Sequence, residues 1–84
     1  MFTIRMGSDI AEAQITALSD TEVDVLLEIY EVLRLTPANG RRLTPAGAMY
    51  VWDHQRVSAG ISVTYLLLEP QREVAVLRVD RFPA

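Results

Sequence analysis

The sequence predicts an α+β fold of the order β-α-α-β-β-β, in which two N-terminal helices pack on one face of a curled antiparallel sheet. The chain has 84 residues, of which 50% are hydrophobic, and this is enough for one buried core but too little for two. Apolar residues recur every three or four positions between residues 10 and 33, which is the period of a helix. After residue 47 the apolar period becomes two, which is the period of a strand. We therefore expect residues 1–84 to form a single domain.

The first strand and the first helix are predicted from the N-terminal residues. Phe2, Ile4 and Met6 alternate with polar residues, as in a half-buried strand. The segment Gly7–Asp9 then offers a turn and an N-cap, after which small apolar residues recur at helical spacing. We expect the first helix to end at about Leu18.

The second helix begins with a capping signal and ends at a proline. Ser19 and Glu22 have the S-x-x-E spacing of a capping box. Pro37 ends the helix because a proline forces the preceding residue away from α geometry. Two stripes of residues follow the helical period between these points. The apolar stripe, which we predict to be core, is Val23, Leu26, Leu27, Tyr30 and Leu33. The acidic stripe, which we predict to be solvated, is Asp20, Asp24, Glu28 and Glu31.

The second half of the chain predicts a loop followed by three strands. The loop covers about ten residues after Pro37. Short connections at residues 54–55 and 69–71 join the strands, and connections this short require antiparallel hairpins. β-branched and aromatic residues at period two place the strands at Met49–Asp53, Val57–Leu68 and Glu73–Val79.

Composition excludes several classes of protein. The chain has no cysteine, so disulfides and thiolate metal sites are excluded, and no cluster of His and carboxylate residues has metal-ligand spacing. We expect neither a metal nor another cofactor. No apolar run approaches the roughly 20 residues that span a bilayer, and the N-terminus does not resemble a signal peptide. We therefore expect a cytoplasmic protein without membrane contact.

Charge is distributed unevenly along the chain. The formal net charge is −3, which argues against a general nucleic-acid binder. Residues 1–34 hold seven acidic residues and two arginines, whereas residues 35–84 hold four acidic residues and six arginines. The two parts therefore have net charges of about −5 and +2. Any basic site is expected in the second part.

His54 is the only histidine in the chain. The carboxylate of the neighbouring Asp53 could orient its ring as a general base. Adjacent side chains on a strand point to opposite faces, so we interpret the Asp53-His54 pair as a turn. Ser58, Ser62 and Thr64 have no base partner in the sequence, and we predict no nucleophile.

Two further pairs are candidates for ligand binding. Arg41 and Arg42 lie between two glycines in the predicted loop, where they could hold a phosphate, although the G-x-x-x-x-G-K-[ST] motif is absent. The alternative is a solvated loop. Tyr50 and Trp52 could stack on a base, with packing inside the sheet as the alternative. Alternation puts this pair on one face of its strand, either toward the helices or on the outer face of the sheet.

Taken in order, these local patterns resemble the RelE/ParE superfamily of toxins from bacterial toxin–antitoxin systems, over nearly the whole chain. Each segment is short, and their fixed order and spacing carry the resemblance. The first strand is MFTIRM, and the second helix, with proline at its exit, is ALSDTEVDVLLEIYEVLRLTP. The loop with the second strand is G-RRL-TPAG-AMYVW. The third strand is GISVTYLL, and the last strand is REVAVLRVDR.

The resemblance implies a growth-inhibiting toxin that is silenced by a cognate antitoxin. Members act on ribosome-bound mRNA as endoribonucleases, which inhibits translation, or, in the ParE branch, on DNA gyrase. Nuclease members stabilise the charge that develops at phosphorus with basic groups. In the nuclease interpretation the catalytic residues of this chain are Arg56, Arg78 and Arg81. The substrate-binding residues are Tyr50, Trp52, Arg41 and Arg42.

The chain departs from the nuclease pattern at several positions. Ser62 stands where the superfamily usually has arginine, and Val51 and Asp53 stand where some nucleases have lysine. Arg81 matches the usual terminal arginine, but the sequence stops at Phe82-Pro83-Ala84, so the following segment, which often carries a catalytic tyrosine in nucleases, is missing. Two interpretations therefore remain: an mRNA endoribonuclease with an altered catalytic set, or a binding protein. The binding protein would be either a ParE-like gyrase inhibitor or a silent relative that only binds its antitoxin.

Overall fold

The computed structural model describes residues 1–57 and 59–82 and has an α+β architecture, as predicted. Ser58, Pro83 and Ala84 lie outside the described residues, so the predicted strand is not described at Ser58. Two helices and a five-stranded sheet follow one another along the chain as β1 (Thr3–Met6), α1 (Asp9–Thr16), α2 (Asp20–Leu35), β2 (Arg41–Arg42), β3 (Met49–Gln55), β4 (Gly60–Leu68) and β5 (Glu73–Phe82), with a short 3₁₀ helix at Pro37–Asn39.

Both helices begin at the predicted caps. The Ser8 side chain accepts a hydrogen bond from the Ala11 amide at 3.1 Å and starts α1. At α2 the Glu22 amide donates to Ser19 Oγ at 3.2 Å, and the Ser19 amide donates to Glu22 Oε1 at 2.9 Å, so the capping box is complete. Helix α1 ends at Thr16, two residues before the predicted end at Leu18.

The sheet has the order β1-β5-β4-β3-β2. The pairs β3–β4 and β4–β5 are antiparallel, as their short connections require. Strand β1 pairs with β5 in parallel, so the sheet is mixed, and the predicted antiparallel arrangement holds for β2 to β5 but not for β1. Hairpin turns set the directions of β3, β4 and β5, whereas packing between distant segments decides where β1 pairs, and no local pattern encodes it.

Strand boundaries also differ from the prediction. Strand β2 lies within the predicted loop and pairs only Arg41 and Arg42 with β3. Strands β3 and β5 extend beyond their predicted ends to Gln55 and Phe82, and β4 begins at Gly60 rather than Val57. These differences follow from pairing, because a strand continues for as long as its neighbour offers backbone partners.

The core lies between the helices and one face of the sheet, which we call the helix face. It contains the inward residues of β4: Ile61, Val63, Tyr65 and Leu67. The predicted core stripe of α2 is only partly correct: Leu26 and Leu33 are buried, but Leu27 is 52% exposed, and Val23 and Tyr30 are half-buried. Val25 and Ile29 are fully buried instead, so the helix is rotated relative to the prediction.

Helix α1 closes the part of β5 that β1 does not reach. Beyond Val76, the Ser8 hydroxyl donates to the Leu77 carbonyl at 2.6 Å, and the Val79 amide donates to Gln14 Oε1 at 2.7 Å. The helix thus satisfies backbone groups that an open sheet edge would leave unpaired. Within residues 1–57 and 59–82, no helix is long and apolar enough to cross a membrane.

Candidate functional site

The face of the sheet opposite the helices, here called the outer face, carries the positions at which the chain departs from the nuclease pattern. Residues that are directly opposite in register share a face. Asp53 pairs with Ser62, and Ser62 pairs with Asp80, so one row across the outer face holds two carboxylates beside a serine. The next row contains Val51 and Arg78. Acidic groups therefore surround the position where a basic group was expected.

The three arginines predicted to be catalytic do not form one site. Arg78 lies on the outer face. Arg81 pairs with the buried Ile61 and therefore lies at the end of the helix face. Arg56 follows β3 and contacts α2. The geometry brings none of the three beside another.

Each of these arginines also has an acidic neighbour. Arg78 donates to Asp80 at 3.0 Å. Arg81 donates to the Ala17 carbonyl at 3.1 Å, and its guanidinium lies 3.6 Å from Glu22. The Arg81 contacts join β5 to the connection between the helices. All of these guanidinium groups are at least partly neutralised where they lie.

The third arginine belongs to a cluster that the sequence did not reveal. Glu28 on α2 accepts from Arg56, and its other oxygen lies 2.9 Å from His54 Nε2. The bond to Arg56, followed by the bond to His54, lowers the pKa of Glu28. The carboxylate that orients His54 is therefore Glu28, 26 positions away, and not its neighbour Asp53. The cluster fastens the end of β3 to α2, and no spacing in the sequence signals it.

The two aromatic candidates face the helices. Tyr50 is only 4% exposed, and its ring stacks on Tyr65 at a centroid distance of 5.7 Å. Tyr50 therefore has no free ring face for a base. Trp52 is half-buried against the core. Of the alternatives left open by the sequence, packing inside the fold describes both side chains.

The two loop arginines are separated by the strand that they form. Arg42 donates to the Tyr50 hydroxyl and to the Pro45 carbonyl, both at 2.9 Å, and so holds the following loop against the sheet. Arg41 points to the other side, and its guanidinium lies 3.9 Å from Asp53 on the outer face. They do not converge on a common ligand position.

An open groove lies between the two helices, and we call it the interhelical groove. Its volume is about 550 Å³, and six of its lining residues are apolar or aromatic: Met6, Ile15, Val23, Leu26, Leu27 and Tyr30. Glu12 and Thr16 complete the lining. The Tyr30 hydroxyl is buried without a hydrogen-bond partner among the described residues, and burial raises its pKa. The only indication of this groove in the sequence is the apolar stripe of α2, because that stripe is wider than the part of the helix that the sheet covers.

No three His, Asp or Glu side chains in the described part of the chain lie close enough together to hold a metal ion. Comparison of the sequence and the structure with protein-family models, curated proteins and solved structures gives no match.

Proposed function

We propose that this chain is a toxin-type protein of the RelE/ParE kind that acts in the cytoplasm, is held by a cognate antitoxin, and inhibits growth by binding rather than by cleaving RNA. DNA gyrase is the proposed target, as in the ParE branch of the superfamily that the sequence resembles. Ribosome-dependent mRNA cleavage is the competing function. The chain has one strand, β2, more than the resemblance implies, and the rest of the order supports both functions equally.

The row Asp53–Ser62–Asp80 on the outer face is the observation that favours binding. Cleavage through a ribose 2′-OH builds negative charge at the phosphorus, and removing a single stabilising donor typically costs about 10²–10³ in rate. This row supplies no cationic donor, and its two carboxylates engage Arg41 and Arg78. A protein target does not impose this requirement.

The remaining charges of the outer face point the same way. Arg5, Arg41 and Arg78 each lie within salt-bridge distance of a carboxylate, with separations of 3.4, 3.9 and 3.0 Å, respectively. Phosphate binding requires an excess of positive charge. A face with balanced charges and partly exposed apolar side chains, among them Met49, Leu66 and Leu68, is better suited to a protein surface.

The test is to induce the chain alone in bacterial cells and to follow growth, mRNA integrity and plasmid supercoiling. We expect growth to stop with intact mRNA and with relaxed plasmid accumulating, and we expect the purified chain to inhibit DNA gyrase. Growth arrest accompanied by cleavage of ribosome-bound mRNA would overturn the proposal. Normal growth would also overturn it and would favour a silent relative that only binds its antitoxin.

Variants separate the two activities. Arg78→Ala and Arg81→Ala remove the basic groups on which a nuclease would depend, and we expect growth arrest to persist in both. Arg72→Ala, in the turn before β5, serves as a control for the loss of one positive charge. If either test variant abolished arrest while remaining folded, and Arg72→Ala did not, catalysis by that arginine would be favoured.

A further inference from the structure

We propose that a small cavity between two hairpin connections binds a free amino acid in its zwitterionic form. The cavity, which we call the hairpin cavity, lies between the segment that joins β2 to β3 and the turn that joins β4 to β5. Its volume is about 230 Å³. The inference does not depend on the proposed function, because it follows from one arginine, one glutamate and the apolar lining of the cavity.

Arg42 gives the hairpin cavity a positive charge that is oriented but not neutralised. Six of the eight arginines have a carboxylate within salt-bridge distance, whereas Arg42 and Arg72 have none among the residues that the structure describes. The Arg42 guanidinium donates from Nε to the Tyr50 hydroxyl and from Nη1 to the Pro45 carbonyl, both at 2.9 Å. Its Nη2 has no acceptor among the described residues. A guanidinium that is already oriented can bind a carboxylate with little further loss of freedom.

Glu69 gives the same cavity a negative charge. Its side chain is exposed, and among the described residues it forms no ion pair, either with Arg42 or with another cation. The cavity therefore offers one cation and one anion, each without a partner. A ligand with two negative charges, such as phosphate, would be repelled by Glu69 and would lack a second cation, because Arg41 faces Asp53 on the outer face.

The rest of the lining is apolar and small. Tyr50 and Leu67 are buried residues of the core, so this part of the wall is fixed in position. Ligand sites commonly combine such a lining with a few polar groups that set the orientation of the ligand, and sites for drug-sized molecules have about 300–1,000 Å³. A smaller cavity requires a smaller ligand. A carboxylate, an ammonium group and a short apolar side chain match the cavity, and a free apolar amino acid carries all three. The apolar lining residues are Ala46, Ala48, Tyr50, Leu67 and Pro70.

The experiment titrates the full isotope-labelled chain, observed by NMR, with leucine and with two derivatives that each lack one charge. N-acetylleucine keeps the carboxylate and lacks the ammonium group, and leucinamide keeps the ammonium group and lacks the carboxylate. Inorganic phosphate is the fourth probe. We expect leucine to bind at least about tenfold more tightly than each of the others, because each of them leaves one charge of the cavity without its partner. Shifts should appear at the Ala46 and Gly47 amides and at the Arg42 Nε–H.

Several outcomes of this titration would overturn the proposal. The absence of shifts at up to roughly 10 mM leucine would do so, as would shifts confined to other parts of the chain. N-acetylleucine or phosphate binding as tightly as leucine would make the cavity a simple anion site. Leucinamide binding as tightly as leucine would exclude the contact between the carboxylate and Arg42.

Charge variants test the two polar contacts. Glu69→Gln should weaken leucine binding at least about tenfold and leave N-acetylleucine binding unchanged, because that derivative has no ammonium group. Glu12→Gln removes the same charge from α1, outside the cavity, and should change neither. Arg42→Gln should weaken both ligands, but it also removes the bond that holds the loop, so Glu69→Gln is the sharper test. Equal losses of leucine and N-acetylleucine in Glu69→Gln would contradict an ammonium contact.

A pair of alanine variants tests the volume of the cavity without changing a charge. Ala46→Leu should fill the cavity and abolish leucine binding, because Ala46 lines it. Ala38→Leu is the matched control, since Ala38 is also exposed, also follows a Leu-Thr-Pro sequence and does not line the cavity. Urea unfolding should show both variants to be folded. Leucine binding that survives in Ala46→Leu, or that is lost in both variants, would contradict binding in the hairpin cavity.

Discussion

At the scale of single residues, two tyrosines show how burial with and without a partner differs. The Tyr65 hydroxyl is buried in the core and donates to the Pro37 carbonyl at 2.6 Å. Burial, with a smaller contribution from Tyr50, raises the pKa of Tyr65 to about 12. The Tyr30 hydroxyl is also buried but has no partner among the described residues. The first hydroxyl connects the core to the end of α2, and the second connects nothing within the described fold.

Removing the two hydroxyls should therefore have opposite consequences. Tyr65→Phe leaves the buried Pro37 carbonyl without its donor and should lower the free energy of unfolding by about 1–3 kcal/mol. Tyr30→Phe removes an unsatisfied group and should leave that free energy unchanged or raise it. Urea unfolding followed by circular dichroism measures both. A loss in Tyr30→Phe as large as that in Tyr65→Phe would show that the Tyr30 hydroxyl has a partner in solution.

At the scale of secondary-structure elements, Glu28 couples α2 to the end of β3. Its carboxylate contacts both Arg56 and His54, and these bonds lower its pKa. A carboxylate with a lowered pKa in the folded state stabilises the protein above its ordinary pKa of 4.5. That contribution is lost as the pH falls from 4.5 through the lower folded value.

The pH dependence of unfolding should report this coupling. Glu28→Gln should be less stable than the parent chain at neutral pH, and the difference should shrink as the pH falls below 4.5. Asp24→Asn is the control, because it removes the same charge from α2 without contacting Arg56 or His54. Thermal unfolding between pH 3 and pH 7, a range of about four units around the ordinary carboxyl pKa, measures the effect. A difference that stays constant across this range would contradict a role for the Glu28 carboxylate.

The elements that could be predicted from sequence are those that local chemistry decides. Ser8, Ser19 and Glu22 mark the helix starts because their side chains bond to amides three residues away. The candidate site could not be predicted in this way. The Glu28–His54 contact and the interhelical groove depend on how α2 is rotated over the sheet, and a helical stripe fixes that rotation only roughly.

At the scale of the whole molecule, the charges are segregated between two surfaces. The outer face of the sheet pairs its arginines with carboxylates, whereas the rim of the interhelical groove is acidic with little compensation. The apolar stripe of α2 supplies residues to both the core and the groove. The stripe is wider than the part of the helix that contacts the sheet, so the remaining apolar side chains stay exposed.

The mixed sheet also makes β1 the element on which the whole fold depends. This strand is the partner of β5 over Glu73–Val76, and its side chains Ile4 and Met6 pack against the core. Its removal would open the edge of a central strand and expose apolar surface, two conditions that lead to association between sheets. No other described strand reaches that edge, since α1 covers only the part beyond Val76.

Deleting residues 1–6 should therefore abolish cooperative unfolding or produce oligomers, as seen by circular dichroism and size-exclusion chromatography. The control is the double variant Thr3→Ala and Arg5→Ala, which keeps the β1 backbone and loses only exposed outer-face side chains. We expect the control to stay monomeric, because the Arg5–Glu73 pair lies at the surface, where such pairs contribute about 0–1 kcal/mol. A truncated chain that stayed monomeric and unfolded at the same urea concentration as the parent would mean that β1 is an accessory strand. The folding unit would then begin at α1, and the long-range pairing of β1 with β5 would contribute nothing to holding the sheet together.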